Sequence, residues 1–261
     1  MTPDSEMTRD LACERAGLKH TASPAGGPQR VSGRQLCVGI GLSAALAAVL
    51  SVAITVIARV TAPQWARTEG LTVMIVAAVY LAVIIGLTIA VGGPRGVSGL
   101  LALRRPSMRQ LGLSFVALAA AVVAGIGVSL AFSPLSGGVP ATMQAIVRAG
   151  SDEARMPTAT ALTWALIVIR LVALTGTAEE LLFRGALYSW LRRRASAGVS
   201  IAITASLFAV EHGYYPILIP LVLSYGLAAG WVRHRTSRTA TTIAMHVTID
   251  LALFLAAVAL S

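Results

Sequence analysis

Charged residues are scarce in this chain: 12% of its 261 residues are Asp, Glu, Lys or Arg, whereas 56% are hydrophobic. A soluble domain carries about a quarter charged residues, so the composition argues against a soluble fold. Cysteine is scarcer still. Cys13 and Cys37 have neither the number nor the spacing of a disulfide framework or a CxxC metal site. Cysteine chemistry is therefore not expected to carry the function.

What the chain has instead is a series of long apolar runs. A helix of about 20 apolar residues can cross the roughly 30 Å hydrocarbon layer of a membrane. We predict an all-α fold, a polytopic membrane helical bundle with about seven transmembrane helices. The candidate spans are residues 36–58, 71–92, 111–133, 156–191, 195–210, 217–232 and 239–260. Residues 1–35 are polar and predict a disordered cytoplasmic tail, and residues 36–261 form the transmembrane helical domain.

Basic residues carry a topology signal. The net charge is +10, but the arginines lie in short clusters between apolar runs, so nucleic acid is not an expected partner. Clusters of Lys and Arg favour the cytoplasmic side of a membrane. The clusters assigned to that side are at residues 30–34, 95–109, 192–194 and 233–238. We therefore predict a multi-pass protein of the cell membrane with a cytoplasmic N-terminus and an external C-terminus.

The first motif places three charged residues, Glu179, Glu180 and Arg184, inside apolar sequence. Charge that faces lipid is costly, so these side chains should face the protein interior. Glu180 and Arg184 are four residues apart and can pair on one helix face, whereas Glu179 projects about 100° away. A carboxylate without a partner in a low-dielectric site can serve as a general base or acid. The alternative is a buried ion-pair cluster that only fixes helix packing.

Two further motifs each contain a histidine and a second residue four positions away. Phe208 and His212 share one helix face, so the aromatic ring can hold the imidazole. Glu211, directly before His212, is expected to face water at the end of a short span. His246 and Asp250 also share a helix face. Each of these motifs alone is equally consistent with a structural hydrogen bond.

The three motifs are predicted to lie at a similar depth in the membrane. At about 1.5 Å per residue, Glu179 lies about 20 Å from the basic end of its helix, and His212 reaches a similar height. His246 and Asp250 lie roughly 12 and 18 Å from the basic end of the last helix. All of the unusual polar residues therefore fall within one layer of the bilayer interior, which predicts a shared polar chamber.

In these motifs the sequence resembles the CPBP intramembrane endopeptidases, also called the ABI or type II CAAX prenyl protease family. The resemblance covers residues 177–253 and implies a family-like core at about residues 161–260. Glu211 stands where a small or apolar residue is expected before the motif histidine. The family pattern EExxxR is matched by Glu179, Glu180 and Arg184, FxxxH by Phe208 and His212, and HxxxN or HxxxD by His246 and Asp250.

The resemblance implies an intramembrane endopeptidase, a glutamate-type CAAX-like protease acting on a membrane-associated or prenylated peptide or protein. Glu179 and His212 would activate water, and His246 and Asp250 would position the substrate carbonyl or stabilise its oxyanion. The supporting residues would be Glu180, Arg184 and Phe208. The implied partners are the substrate and the lipid bilayer. The alternative is a non-proteolytic immunity or scaffold protein. A secondary transporter is disfavoured because the two halves show no inverted repeat.

No cofactor is expected. Glu179, His212, His246 and Asp250 could supply the ligands of a catalytic zinc ion, and zinc is the alternative. Against it, no HExxH pair places two histidines on one helix. A glutamate base also needs a carboxylate oxygen free for water. We therefore predict a metal-independent site.

Overall fold

The computed structural model describes residues 32–61, 69–91, 106–144, 167–212 and 218–260. Within these ranges the chain is helical apart from short connections and contains no strand, which confirms the predicted all-α fold. The predicted N-terminal tail lies outside the described residues up to residue 31, and the first helix begins at Gly33 rather than at Leu36. The helices are α1 (Gly33–Thr61), α2 (Glu69–Ala90), α3 (Met108–Ala131), α4 (residues 167–191), α5 (Ala197–Glu211), α6 (Ile219–Thr236) and α7 (Thr239–Leu260).

Several of these helices have the dimensions of membrane spans. Among the described residues, three stretches are long and apolar enough to cross a membrane: Gly33–Val60, Met108–Ala131 and Thr239–Ala256. Met74–Ala90 and Ala197–Glu211 are shorter apolar helices. A helical membrane bundle follows from these lengths and compositions, while the count of seven spans stays a prediction.

Local sequence signals define where the helices begin and end. Ser107 and Gln110 form a capping box at the start of α3, and the Ser196 side chain accepts a hydrogen bond from the Val199 backbone in the first turn of α5. α6 ends at Ser237, which has a left-handed backbone with φ of 55°. This conformation turns the chain sharply, so that α7 begins only two residues later and runs beside α6.

Small residues allow the helices to approach closely. α1 packs along α2, and α6 packs against both α3 and α5. A Cβ atom on Gly86 would lie 2.6 Å from the Ser43 backbone nitrogen, and one on Gly226 would lie 3.1 Å from Cα of Ala205. Glycine at these positions is therefore required by the helix spacing, as is common where membrane helices cross. α4 contacts α2, α5, α6 and α7, so it lies at the centre of the bundle.

The central helix α4 is irregular. Two π-helical segments, Arg170–Thr175 and Leu181–Leu187, flank the α-helical turn Gly176–Glu180. A π-helical turn is wider than an α-helical turn and changes the direction of the following side chains, and such segments are frequent at functional sites. The backbone carbonyl of Arg184, within the second π segment, accepts a hydrogen bond from Nε of Arg233 at 3.2 Å.

Candidate active site

The predicted pair of Glu180 and Arg184 forms the buried base of the site. Nη1 of Arg184 donates to Oε1 of Glu180 at 2.9 Å, and neither side chain is exposed. Nη2 of the same arginine donates to the Gly226 carbonyl at 3.3 Å. The guanidinium carbon lies 4.5 Å from the ring centroid of Phe208, within the range of a cation–π interaction. The arginine is thus neutralised by a carboxylate and packed against an aromatic face.

Glu180 also holds two side chains from the last two helices. The Tyr225 hydroxyl donates to its Oε1 at 3.1 Å, and Nδ1 of His246 lies 3.1 Å from the same oxygen. A carboxylate paired with arginine is ionised and can only accept hydrogen bonds, so Nδ1 of His246 carries the hydrogen. Glu180 therefore fixes both the tautomer and the orientation of the His246 ring.

Glu179 differs from the sequence prediction, which left this carboxylate without a partner. Its Oε1 accepts a 2.8 Å hydrogen bond from the hydroxyl of Tyr80, and its Oε2 lies 3.6 Å from Nε2 of His246. The prediction that Glu179 has no partner is therefore wrong. A local motif could not reveal this partner, because Tyr80 lies on α2, 99 residues earlier in the sequence. Oε2 is buried and makes no hydrogen bond within the described part of the chain.

His246 lies between three carboxylates. Its Nε2 is 3.7 Å from Oδ1 of Asp250, so the HxxxD pair lies side by side on α7 as the spacing predicts. Both contacts of Nε2, to Glu179 and to Asp250, are longer than a normal hydrogen bond. Gly176 makes room for the ring, since a Cβ atom at that position would lie 3.3 Å from Cβ of His246. α4 and α7 can therefore meet at this level.

Phe208 connects the second motif with the third. Its ring centroid lies 4.6 Å from that of His212 and 5.9 Å from that of His246. Nδ1 of His212 is 2.9 Å from the Phe208 carbonyl oxygen, which can only accept, so this nitrogen carries a hydrogen. Glu211 is exposed at the end of α5, and its position facing water stays a prediction.

The alternative prediction is a zinc site with four possible ligands: Glu179, His212, His246 and Asp250. In the described ranges, no group of three or more His, Cys, Asp or Glu side chains has an arrangement that could hold a metal ion. The metal-independent site stays a prediction, and the mechanism proposed for it uses protein side chains and water.

Part of the chain matches a known protein family. Residues 161–252 match the family model described as Type II CAAX prenyl endopeptidase Rce1-like. This segment resembles the Rce1-like endopeptidases. The match confirms the resemblance that the three motifs indicate and supports CAAX-type membrane endopeptidase activity in general. Neither the curated proteins nor the solved structures gave a match.

The site includes residues that the motifs did not reveal. Tyr80 lies outside the Rce1-like segment, whereas Tyr225 lies inside it. Their position within apolar helices could have suggested both tyrosines from the sequence, because a buried hydroxyl needs a hydrogen-bond partner. Arg170, in the first π segment of α4, interacts electrostatically with Asp250 and with Tyr80. The sequence showed that this arginine lies in apolar surroundings but did not identify its neighbours.

Proposed function

We propose that this protein is an intramembrane endopeptidase in which Glu179 activates water for attack on a peptide carbonyl. The observation that carries the proposal is the different surroundings of two adjacent buried glutamates. Glu180 is occupied by a guanidinium, a hydroxyl and an imidazole. Glu179 has no cation paired with it at hydrogen-bond distance among the described residues: its Oε1 accepts from the Tyr80 hydroxyl, and its Oε2, which like Oε2 of Glu180 has no hydrogen-bond partner there, lies 3.6 Å from an imidazole nitrogen. The Rce1-like match supports the same class of reaction.

Oε2 of Glu179 is the proposed base. It takes a proton from water as the water oxygen forms a bond to the peptide carbonyl carbon, which gives a tetrahedral intermediate. The carboxyl group then returns this proton to the amide nitrogen as the C–N bond breaks. The products are a new C-terminal carboxylate and a free amine. We assign His212 to assist Glu179 in activating this water, with its ring held through Nδ1 by the Phe208 carbonyl.

His246 and Asp250 are assigned to the substrate carbonyl. Glu180 orients the imidazole of His246 through Nδ1, so Nε2 lies on the side of the ring near Glu179, 3.6 Å from its Oε2. Because neither neighbouring carboxylate lies within hydrogen-bond distance of Nε2, a protonated ring can donate to the developing oxyanion. Asp250 is assigned to orient the same ring from the Nε2 side, where its Oδ1 lies 3.7 Å from Nε2.

The substrate is a peptide or protein associated with the membrane. The matching family is described as CAAX prenyl endopeptidases, so a prenylated C-terminal peptide is the first candidate. Substrate and site would meet within the bilayer, because Glu179 and Glu180 are buried at the centre of an apolar bundle. An unprenylated peptide of the same sequence tests whether the lipid group is required.

Peptide cleavage by the purified protein tests this function. The full chain, reconstituted in liposomes, is given internally quenched CAAX peptides with and without the prenyl group, beside a Glu179→Gln variant. We expect cleavage by the wild-type protein and a loss of at least about 100-fold in kcat/KM for the variant, the usual scale of general base catalysis. Equal cleavage by both proteins, or no cleavage of membrane substrates by folded wild-type protein, would reject the proposal.

The orientation in the membrane is part of the proposal. We place the N-terminus in the cytoplasm and the C-terminus outside, because the arginine clusters at 192–194 and 233–238 then lie on the cytoplasmic side. A reporter that is active only in the cytoplasm should give signal when fused to the N-terminus and none when fused to the C-terminus. Signal from the C-terminal fusion would contradict this topology.

A further inference from the structure

Tyr80 reaches the candidate active site from outside the Rce1-like segment. It is the only aromatic residue of α2, which packs against α4. Its hydroxyl donates a 2.8 Å hydrogen bond to Oε1 of Glu179. Because the family model matches residues 161–252, this contact adds to the site a side chain that the match does not contain.

The two carboxylate oxygens of Glu179 have different surroundings. Oε1 is held by Tyr80, whereas Oε2 has no hydrogen-bond partner in the described ranges and lies 3.6 Å from Nε2 of His246. The last torsion of a glutamate side chain is broad and roughly two-fold, so an unheld carboxylate can rotate and exchange its two oxygens. A hydrogen bond to one oxygen restricts this rotation and leaves the other oxygen in a defined place.

We propose that Tyr80 is a positioning residue for Glu179. Its hydroxyl anchors Oε1 and thereby directs Oε2 towards the water and the substrate carbonyl. This inference rests on the proposed function, because it takes Glu179 as the base. Tyr80 itself touches neither the substrate nor a reacting atom, so its contribution is to orientation rather than to chemistry.

Comparison with Glu180 explains why the hydrogen bond from Tyr80 should have a large effect on the position of the Glu179 carboxylate. Oε1 of Glu180 is held by Arg184, Tyr225 and His246 together, so the loss of one hydroxyl leaves a cation and an imidazole in place. The Oε1 atom of Glu179 has the hydroxyl of Tyr80 as its donor. Removing that hydroxyl therefore frees the carboxylate of Glu179 while leaving Glu180 and its partners unchanged.

Replacement of Tyr80 by phenylalanine removes the hydroxyl and keeps the ring. A displacement of about 1 Å in a catalytic group can lower the rate about 100-fold. We therefore expect Tyr80→Phe to lower kcat about 10- to 100-fold. KM should stay within about twofold, because the anchor acts on an enzyme carboxylate and not on bound substrate.

Two matched substitutions separate positioning from general damage. Incorporation of 4-aminophenylalanine at position 80 restores an N–H donor on the same ring, and most of the lost kcat should return. Tyr188→Phe is the control, because Tyr188 is a buried tyrosine of the same bundle whose hydroxyl lies 3.2 Å from Nδ1 of His234. This control removes a buried hydroxyl elsewhere in the bundle and should leave both kcat and KM close to the wild-type values.

A spectroscopic measurement tests the contact without requiring activity. With 3-fluorotyrosine at position 80 of the full chain in detergent, the fluorine chemical shift reports the hydrogen bond of the adjacent hydroxyl. We expect Glu179→Ala to move this signal and Tyr188→Phe to leave it in place. An unchanged signal in Glu179→Ala would show that the contact does not exist and would overturn the inference.

The kinetic outcomes separate this inference from the proposed function. Active wild-type protein together with a Tyr80→Phe variant of full kcat would overturn the positioning role alone. Equal loss in the phenylalanine and 4-aminophenylalanine variants, or a loss confined to KM, would also overturn it. Absence of hydrolysis by wild-type protein, with a fluorine signal that still responds to Glu179→Ala, would instead reject the peptidase function and keep the hydrogen bond.

Discussion

Nδ1 of His246 lies 3.1 Å from Oε1 of Glu180, although 66 residues separate them in the sequence. This contact joins the EExxxR motif on α4 to the HxxxD motif on α7. It also gives the two adjacent glutamates separate environments, because Glu180 takes one ring nitrogen while Glu179 lies near the other at 3.6 Å. One imidazole thus links the buried ion pair to the proposed base.

Removal of the Glu180 carboxylate should destabilise the fold. Arg184 is completely buried, so Glu180→Ala leaves a buried charge without its counterion, a loss of about 3–5 kcal/mol in soluble proteins. Arg184→Leu with Glu180→Ala removes both charges and should recover part of that loss. The measurement is the free energy of unfolding of both single variants and the double variant in detergent. Strictly additive effects, or a Glu180→Ala variant within about 1 kcal/mol of wild type, would contradict this expectation.

Asp250 should act through its oxygen atoms more than through its charge. Asp250→Asn keeps an oxygen acceptor near Nε2 of His246, so we expect kcat within about tenfold of wild type. Asp250→Leu removes the acceptor and should lower kcat about 100-fold, the scale for one orienting polar group. Thr248→Val on the same helix is the control, because the Thr248 hydroxyl donates to the carbonyl of Ala244 in its own helix. Equal loss in the Asn and Leu variants would show that the negative charge is what matters.

The close approach of α4 and α7 depends on Gly176. A Cβ atom there would lie 3.3 Å from Cβ of His246, so alanine forces a shift of a few tenths of an ångström. We expect Gly176→Ala to reduce kcat several-fold and Gly176→Leu to abolish activity, since overpacking of this size costs about 1–3 kcal/mol or more. Gly127→Ala is the control, because a Cβ atom on Gly127 meets nothing within 4 Å. Full activity of Gly176→Leu would contradict the role assigned to this contact.

Local spacing predicted the parts of the site that lie on one helix. The pairs Glu180 with Arg184 and His246 with Asp250 are four residues apart, and both pairs are adjacent in the structure. The partner of Glu179 could not be predicted, because Tyr80 lies on a different helix and a single tyrosine gives no periodic signal. The π-helical segments of α4, a feature frequent at functional sites, were not predicted from the sequence either.

The last prediction concerns metal. A zinc site would take Nε2 of His246 and an oxygen of Glu179 as ligands, and would compete with the water that a glutamate base must bind. Within the described residues, no group of three or more His, Cys, Asp or Glu side chains could hold a metal ion. We expect purified protein to contain substoichiometric zinc and to keep its peptidase activity in a chelator that can enter detergent micelles. One zinc ion per chain, with activity lost on chelation and restored only by metal, would reject the metal-independent mechanism and assign His212 and His246 as ligands.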